Sequence, residues 1–170
     1  MWSQTYFWFT WLAVACFMEF WAMILHGALW HGPWWVTHKS HHEARRGSFE
    51  FNDIFALFHA ILATTLIVYG FESGDSISSH LCVAAGFGMT TFGMAYFLVH
   101  DGFIHERLPV SFLSRFAYIR RVKNAHKVHH RREHQHPYGL FLGEYELRWH
   151  KRRGVAMRER SSGDHQMSER

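Results

Sequence analysis

Three long apolar runs, separated by polar stretches, set the pattern of this chain. They are Tyr6 to Leu25, interrupted by Thr10 and Glu19; Ile54 to Phe71, broken by His59 and Thr64-Thr65; and Leu81 to Val99. Each holds roughly 18–20 residues, about what a helix rising 1.5 Å per residue needs to cross a hydrocarbon layer of about 30 Å. The pattern predicts an all-α integral membrane bundle with about three to four membrane helices. A cleaved secretory signal would carry basic residues before its apolar core and small residues after it. No Lys or Arg precedes Lys39, and Trp, Phe and Met fill the cleavage region, so residues 6–25 read as a permanent span.

Charge placement orients the spans. All 18 Lys and Arg lie at or after position 39, and none lies between Gly47 and Glu106. The connection Glu72-Ser73-Gly74-Asp75-Ser76-Ile77-Ser78-Ser79 carries only acidic charge, so the positive-inside bias places it outside and puts residues 39–53 and 100–170 in the cytoplasm. The sequence pI near 9.3 then reflects attraction to anionic headgroups rather than to nucleic acid. With 170 residues the chain supports one domain: residues 1–150 are expected to form the membrane-embedded unit, and 151–170 a polar, mobile tail. Cys16 and Cys82 lie within apolar spans and form no C-x-x-C pair, which excludes disulfide and zinc-ribbon frameworks.

Histidine changes the picture most. Ten of the 16 histidines fall into four boxes, His26-x4-His31, His38-x2-His41-His42, His100-x4-His105 and His126-x2-His129-His130, each at or just beyond an apolar end. All four are expected on the cytoplasmic face, forming a histidine-rich cap. On a helix, positions i, i+3 and i+4 share a side, so each His-x2-His-His box is expected to offer three imidazoles as one facial ligand set. The x4 pairs would stand about 140° apart on an ideal α-helix; Gly27 and Gly102 inside them, with Gly32-Pro33 and Pro109 after them, suggest helix ends or local unwinding. Ten imidazoles exceed one octahedral ion, while five apiece serve two ions, so a dinuclear centre is expected. Imidazole suits iron, zinc, copper and nickel alike, and no H-E-x-x-H string marks a zinc protease.

A single histidine on a helix is ordinarily solvated or a satisfied core residue. Four boxes at matching depth beside a membrane are not, because polar groups there are costly unless paired or functional. His59, His80, His150 and His165 fit no box and read as structural or solvated; His134 and His136 lie beside the fourth box but outside its pattern. Glu19, seven residues before His26, is expected to accept an imidazole N–H and offset metal charge. Asp53 and Asp101 are further candidates for that supporting role, whereas Glu43, Glu106 and Glu133 read equally well as helix-surface charges. Trp30, Trp34 and Trp35 suit an interfacial belt or the lining of an apolar access channel. A metal transporter would need polar residues through the spans rather than at one face, and a haem protein needs two axial histidines rather than ten.

Several strings together carry a resemblance to a known family: Met18-Glu19-Phe20, the four boxes, Gly47-Ser48-Phe49-Glu50-Phe51-Asn52-Asp53, His100-Asp101-Gly102-Phe103-Ile104-His105 and Ala125-His126-Lys127-Val128-His129-His130. Over about residues 15–142 the chain resembles the bacterial β-carotene hydroxylases, within the fatty-acid-hydroxylase group of membrane di-iron enzymes. The boxes are shared across that group, including fatty acyl, sterol and ring-C4 oxygenases; the Asn52-Asp53 and Asp101 strings look specific to carotene hydroxylases. The resemblance implies a non-haem di-iron monooxygenase that hydroxylates C3 of β-ionone rings, taking β-carotene to β-cryptoxanthin and zeaxanthin, with canthaxanthin as a further substrate. It implies that the ten box histidines hold two irons, that Glu19, Asn52, Asp53 and Asp101 support them, and that O2 is the co-substrate. Electrons are expected from ferredoxin and an NAD(P)H-dependent reductase, since the chain shows no G-x-G-x-x-G fingerprint. The implied location is the bacterial inner membrane, with the active site on the cytoplasmic side.

Overall fold

The computed structural model describes residues 2–44, 47–131 and 135–154. Helix α1 (Trp2–Leu25) continues through a π-helical turn (His26–Trp30) and is followed by short helix α2 (Trp35–His42). Helices α3 (Asp53–Glu72) and α4 (Ile77–Tyr96) form an antiparallel pair, and α4 runs on through a second π-helical stretch (Phe97–Ile104). A 3-10 turn (Ser111–Arg115) leads to α5 (Ala117–Arg131), and residues 143–154 form a last helix, α6. Among the described residues there is no strand.

Three helical segments are long and apolar enough to cross a membrane: Gln4–Trp30, Asp53–Glu72 and Ile77–Ile104. Their outer surfaces are apolar, with Trp8, Phe9, Phe58, Phe71 and Met94 all exposed, as lipid-facing residues should be. Helix α4 lies between α1 and α3, and glycines let it approach both. A Cβ on Gly88 would stand 2.7 Å from the Trp11 carbonyl oxygen of α1, and one on Gly86 2.7 Å from the Ala63 carbonyl oxygen of α3. Without water to drive association, close backbone contact of this kind holds membrane helices together. Trp21 Nε1 donates to His59 Nε2 at 3.1 Å, fastening α1 to α3.

Helix α5 is amphipathic: Val122, Ala125, His126 and His129 are buried at helical spacing, while Arg120, Asn124 and Lys127 face outward. It caps the end of the bundle where α1 and α4 finish and α3 begins. Helix α6 runs through residue 154, past the expected boundary at 150, and residues 155–170, including His165, lie outside the described part, as does His134.

Candidate metal centre

The two x4 pairs are brought together by the π-helical turns. His31 N donates to the His26 carbonyl oxygen at 2.9 Å, and His105 N to that of His100 at 2.9 Å. These i→i+5 bonds widen the turn by one residue, so the paired rings stand on one side, with centroids 5.0 Å apart in the first pair and 4.7 Å in the second. The expected unwinding is therefore a continuous, wider helix. Gly27 makes room for it, since a Cβ there would stand 2.9 Å from the Tyr138 ring.

Ligand nitrogens from His26, His31, His38, His42 and His129 lie within 4.8 Å of one another, and so do those of His41, His105, His126 and His130. His100 packs against the second group, its ring centroid 4.7 Å from those of His41, His105 and His126. All ten box histidines are thus assembled, but not as three-ligand sets. In each His-x2-His-His box the first and third imidazoles, at i and i+4, serve one group, and the middle one crosses to the other. The physical reason is helical: i+3 and i+4 differ by about 100°, so adjacent histidines diverge around the axis. His42 and His130 stack at 4.4 Å where the groups meet.

Hydrogen bonds at Nδ1 aim Nε2 inward. In the first group His26 Nδ1 donates to the Tyr138 carbonyl at 2.8 Å, His38 to Asn52 Oδ1 at 2.6 Å and His129 to the Gln135 carbonyl at 3.2 Å. A neutral imidazole has one N–H, so Nε2 of each of these rings presents a lone pair. Yet His26 Nε2 lies 3.0 Å from His38 Nε2. Two lone pairs at that distance repel unless a cation lies between them, and two nitrogens each about 2.1 Å from one ion at a right angle are about 3.0 Å apart. His105 and His126, at 3.1 Å, and His126 and His130, at 2.9 Å, repeat the spacing in the second group. His41 Nε2 is buried there with no hydrogen-bond partner. The donor set fits a pair of metal ions. Burial holds His41, His126 and His130 below the ordinary imidazole range, and brings His105 to about 3 and His129 to about 4, so these rings are neutral, as metal ligation requires.

The second group is backed by carboxylates. His41 Nδ1 donates to Glu50 at 3.1 Å and His100 Nδ1 to Asp101 at 3.1 Å. Arg107 ties these supports together, donating to Asp53 at 2.8 and 2.9 Å, to Asp101 at 2.7 Å and to the Ser48 carbonyl at 2.9 Å. Asp53 also accepts from Glu50 N at 3.0 Å. Donating hydrogen bonds to Asp53 raises the Arg107 guanidinium above its usual range, while burial raises the Glu50 carboxyl. Glu50 and Arg107 were not singled out from sequence. Glu50 belongs to the string that supplied Asn52 and Asp53, and Arg107 is the first basic residue after the long interval without one.

Glu19 corrects an expectation. Its Oε1 accepts from Leu142 N at 2.8 Å, so the carboxylate holds the 139–142 loop against α1 rather than an imidazole. Seven residues from His26, it lies two turns below the ring and is reached first by the returning loop. Trp30 and Trp35 pack against histidine rings, at 5.7 Å from His38 and 5.1 Å from His31, while Trp34 is exposed.

The fatty acid hydroxylase family model matches residues 11–146, a stretch that contains all ten box histidines. The chain belongs to the fatty acid hydroxylase family. Among curated relatives of this hydroxylase-family chain, a chloroplastic β-carotene hydroxylase of Capsicum annuum is 50% identical over 131 residues, 76% of this chain and 42% of the relative. The chloroplastic β-carotene 3-hydroxylase 2 of Arabidopsis thaliana is 48% identical over 131 residues, 76% of this chain and 43% of the relative. A β-carotene hydroxylase of Pantoea ananas is 41% identical over 113 residues, 66% of this chain and 62% of the relative. The chain thus spans about two fifths of the length of the plant relatives it matches. No solved structure matches it.

Proposed function

We propose that this chain is a membrane-embedded di-iron monooxygenase that hydroxylates C3 and C3' of β-ionone rings, converting β-carotene to β-cryptoxanthin and zeaxanthin, and canthaxanthin toward astaxanthin. The observation that carries the reading is the pair of histidine groups at the membrane end of the bundle, in a chain similar to proteins named β-carotene 3-hydroxylase. His26, His31, His38, His42 and His129 would hold one iron, and His41, His100, His105, His126 and His130 the other. Two irons held there would supply the reduction of O2 and the oxidation of the ring C–H bond, one oxygen atom entering the product and the other leaving as water at the expense of two electrons and two protons.

The chain's own residues position the ligands and exclude water. Asn52 and the Tyr138 and Gln135 carbonyls fix the tautomers of the first group; Glu50 and Asp101, locked by Arg107 and Asp53, do so for the second. Glu19 fastens the loop that carries Tyr138. A wholly apolar polyene is supplied from the bilayer, so its ring arrives at the depth where the spans end. A cleft of about 350 Å³ opens beside the second group, lined by Ile104, His105, His126, Lys127, His130 and Arg131. Its basic rim suits an acidic ferredoxin, reduced by an NAD(P)H-dependent reductase. The bacterial inner membrane is the location in this reading, and charge asymmetry supports this face lying in the cytoplasm.

Pigment chromatography after expression in β-carotene-accumulating cells, with an electron donor supplied, tests the reading. Zeaxanthin and β-cryptoxanthin are expected. Absence of any 3-hydroxylated carotenoid sinks it, and a hydroxylated fatty acid, sterol or ring-C4 product would move the chain elsewhere within its family.

A further inference from the structure

Two histidines outside the boxes, His136 and His150, meet at the surface beside the first group. Their rings stack with centroids 3.6 Å apart, His150 standing on α6 one turn after Glu146 and His136 reaching over from the preceding loop. His136 Nδ1 donates to Glu146 Oε1. The opposite oxygen, Oε2, accepts from Tyr138 N and Gly139 N, both at 2.9 Å. Glu146 is therefore clamped by two backbone donors that leave Oε1 directed at the imidazoles. One ligand atom from each of the three side chains lies within 4.8 Å of the other two.

We propose that His136, Glu146 and His150 form a third metal site, for a zinc-class divalent ion, separate from the two box groups. Two imidazoles and a carboxylate are the donor set of open zinc sites, in which water completes the shell. The i, i+4 spacing of Glu146 and His150 puts both on one face of α6. His136 has 43% of its side chain exposed, so the ring can turn to close the remaining spread without disturbing the core, and the site opens to water as a three-ligand centre must. The site also adjoins the first group through a single residue. Tyr138 donates its N–H to Glu146, and its carbonyl accepts the Nδ1–H of His26. An ion at this outer site fixes the loop that sets the orientation of a box histidine.

The test is a zinc count. Full-length protein in detergent, stripped of metal, is dialysed to equilibrium against zinc at concentrations near that of the protein, and bound zinc per chain is measured by elemental analysis for wild type, His136→Ala, His150→Ala and His150→Gln. Each variant is expected to hold one ion fewer than wild type, with unchanged helical content by circular dichroism. Equal counts in wild type and variants, or a difference that appears only at large zinc excess, overturn the proposal. Because the readout is a difference, it does not depend on how many ions the boxes hold. Were the box reading wrong, the wild-type total would be lower, and one ion would still vanish with His150.

Discussion

Asp101 and Glu50 show what a supporting side chain does that a count of histidines cannot. Imidazoles backed by a carboxylate are more basic than those backed by an amide or a peptide carbonyl, so the two groups are not equivalent. The second, with His41 on Glu50 and His100 on Asp101, should hold its ion more tightly than the first, whose rings lean on Asn52, Tyr138 and Gln135. Titrating the iron-loaded protein with a chelator should release metal in two phases. Glu50→Gln or Asp101→Asn should weaken the tight phase by about 10–100-fold, and a single unchanged phase in both would contradict the asymmetry. Glu19→Gln keeps an acceptor for Leu142 N and should leave both phases in place, unlike Glu19→Ala, which frees the loop. The ten box histidines were legible because residue type and spacing carry them, Asp53 and Asp101 as carboxylates beside the boxes, and Asn52 only through the string that the family resemblance rests on. Arg107 was not, since a single arginine has no period, and neither were the carbonyls of Tyr138 and Gln135, since any residue supplies one.

At the scale of elements, the spans were readable because bilayer thickness translates directly into run length, and three apolar helices appear where three runs lie. The π-helical turns were not. Apolar periodicity around His26 and His100 looks the same whether the ladder is i→i+4 or i→i+5, and the two glycines signalled only that something non-ideal happens there. That the middle imidazole of each His-x2-His-His box crosses to the other group was also hidden, because helical phase alone does not say where the second partner lies. Gly27→Ala tests the first turn: its Cβ would stand 2.9 Å from the Tyr138 ring, pushing the loop off His26. Metal should be lost from the weaker phase with little change in the stronger. Gly86→Val tests the span packing, since the new side chain meets the Ala63 backbone oxygen at 2.7 Å, which cannot step aside as a side-chain tip could. Overpacking of this kind costs about 1–3 kcal/mol, and thermal melting in detergent should shift down accordingly. An unchanged melting point would mean that α3 and α4 part without penalty.

The whole molecule joins lipid-facing spans to a largely buried nest of imidazoles, and this combination dictates how it answers to pH. In an unfolded chain these histidines take protons near pH 6.5. In the folded, metal-free protein, burial holds His41, His126 and His130 well below that range and brings His105 to about 3 and His129 to about 4. The unfolded state therefore binds more protons at every pH between those values and 6.5, and stability rises with pH across that window. It is fully present above about pH 6.5 and is lost progressively as pH falls toward 3–4. Bound metal acts in the same direction, since ligands must be deprotonated to hold it, so acidification should release the ions before the helices separate. Melting followed by tryptophan fluorescence, with and without iron, between pH 8 and pH 5 should show both forms destabilised below pH 6.5 and the iron-bound form losing its advantage there. Substituting His129 by Gln should flatten the slope of the metal-free curve by removing one of its depressed titrations. A metal-free protein equally stable at pH 8 and pH 5 would mean that the imidazoles are hydrated, and that the cap is open to water rather than sealed by α5.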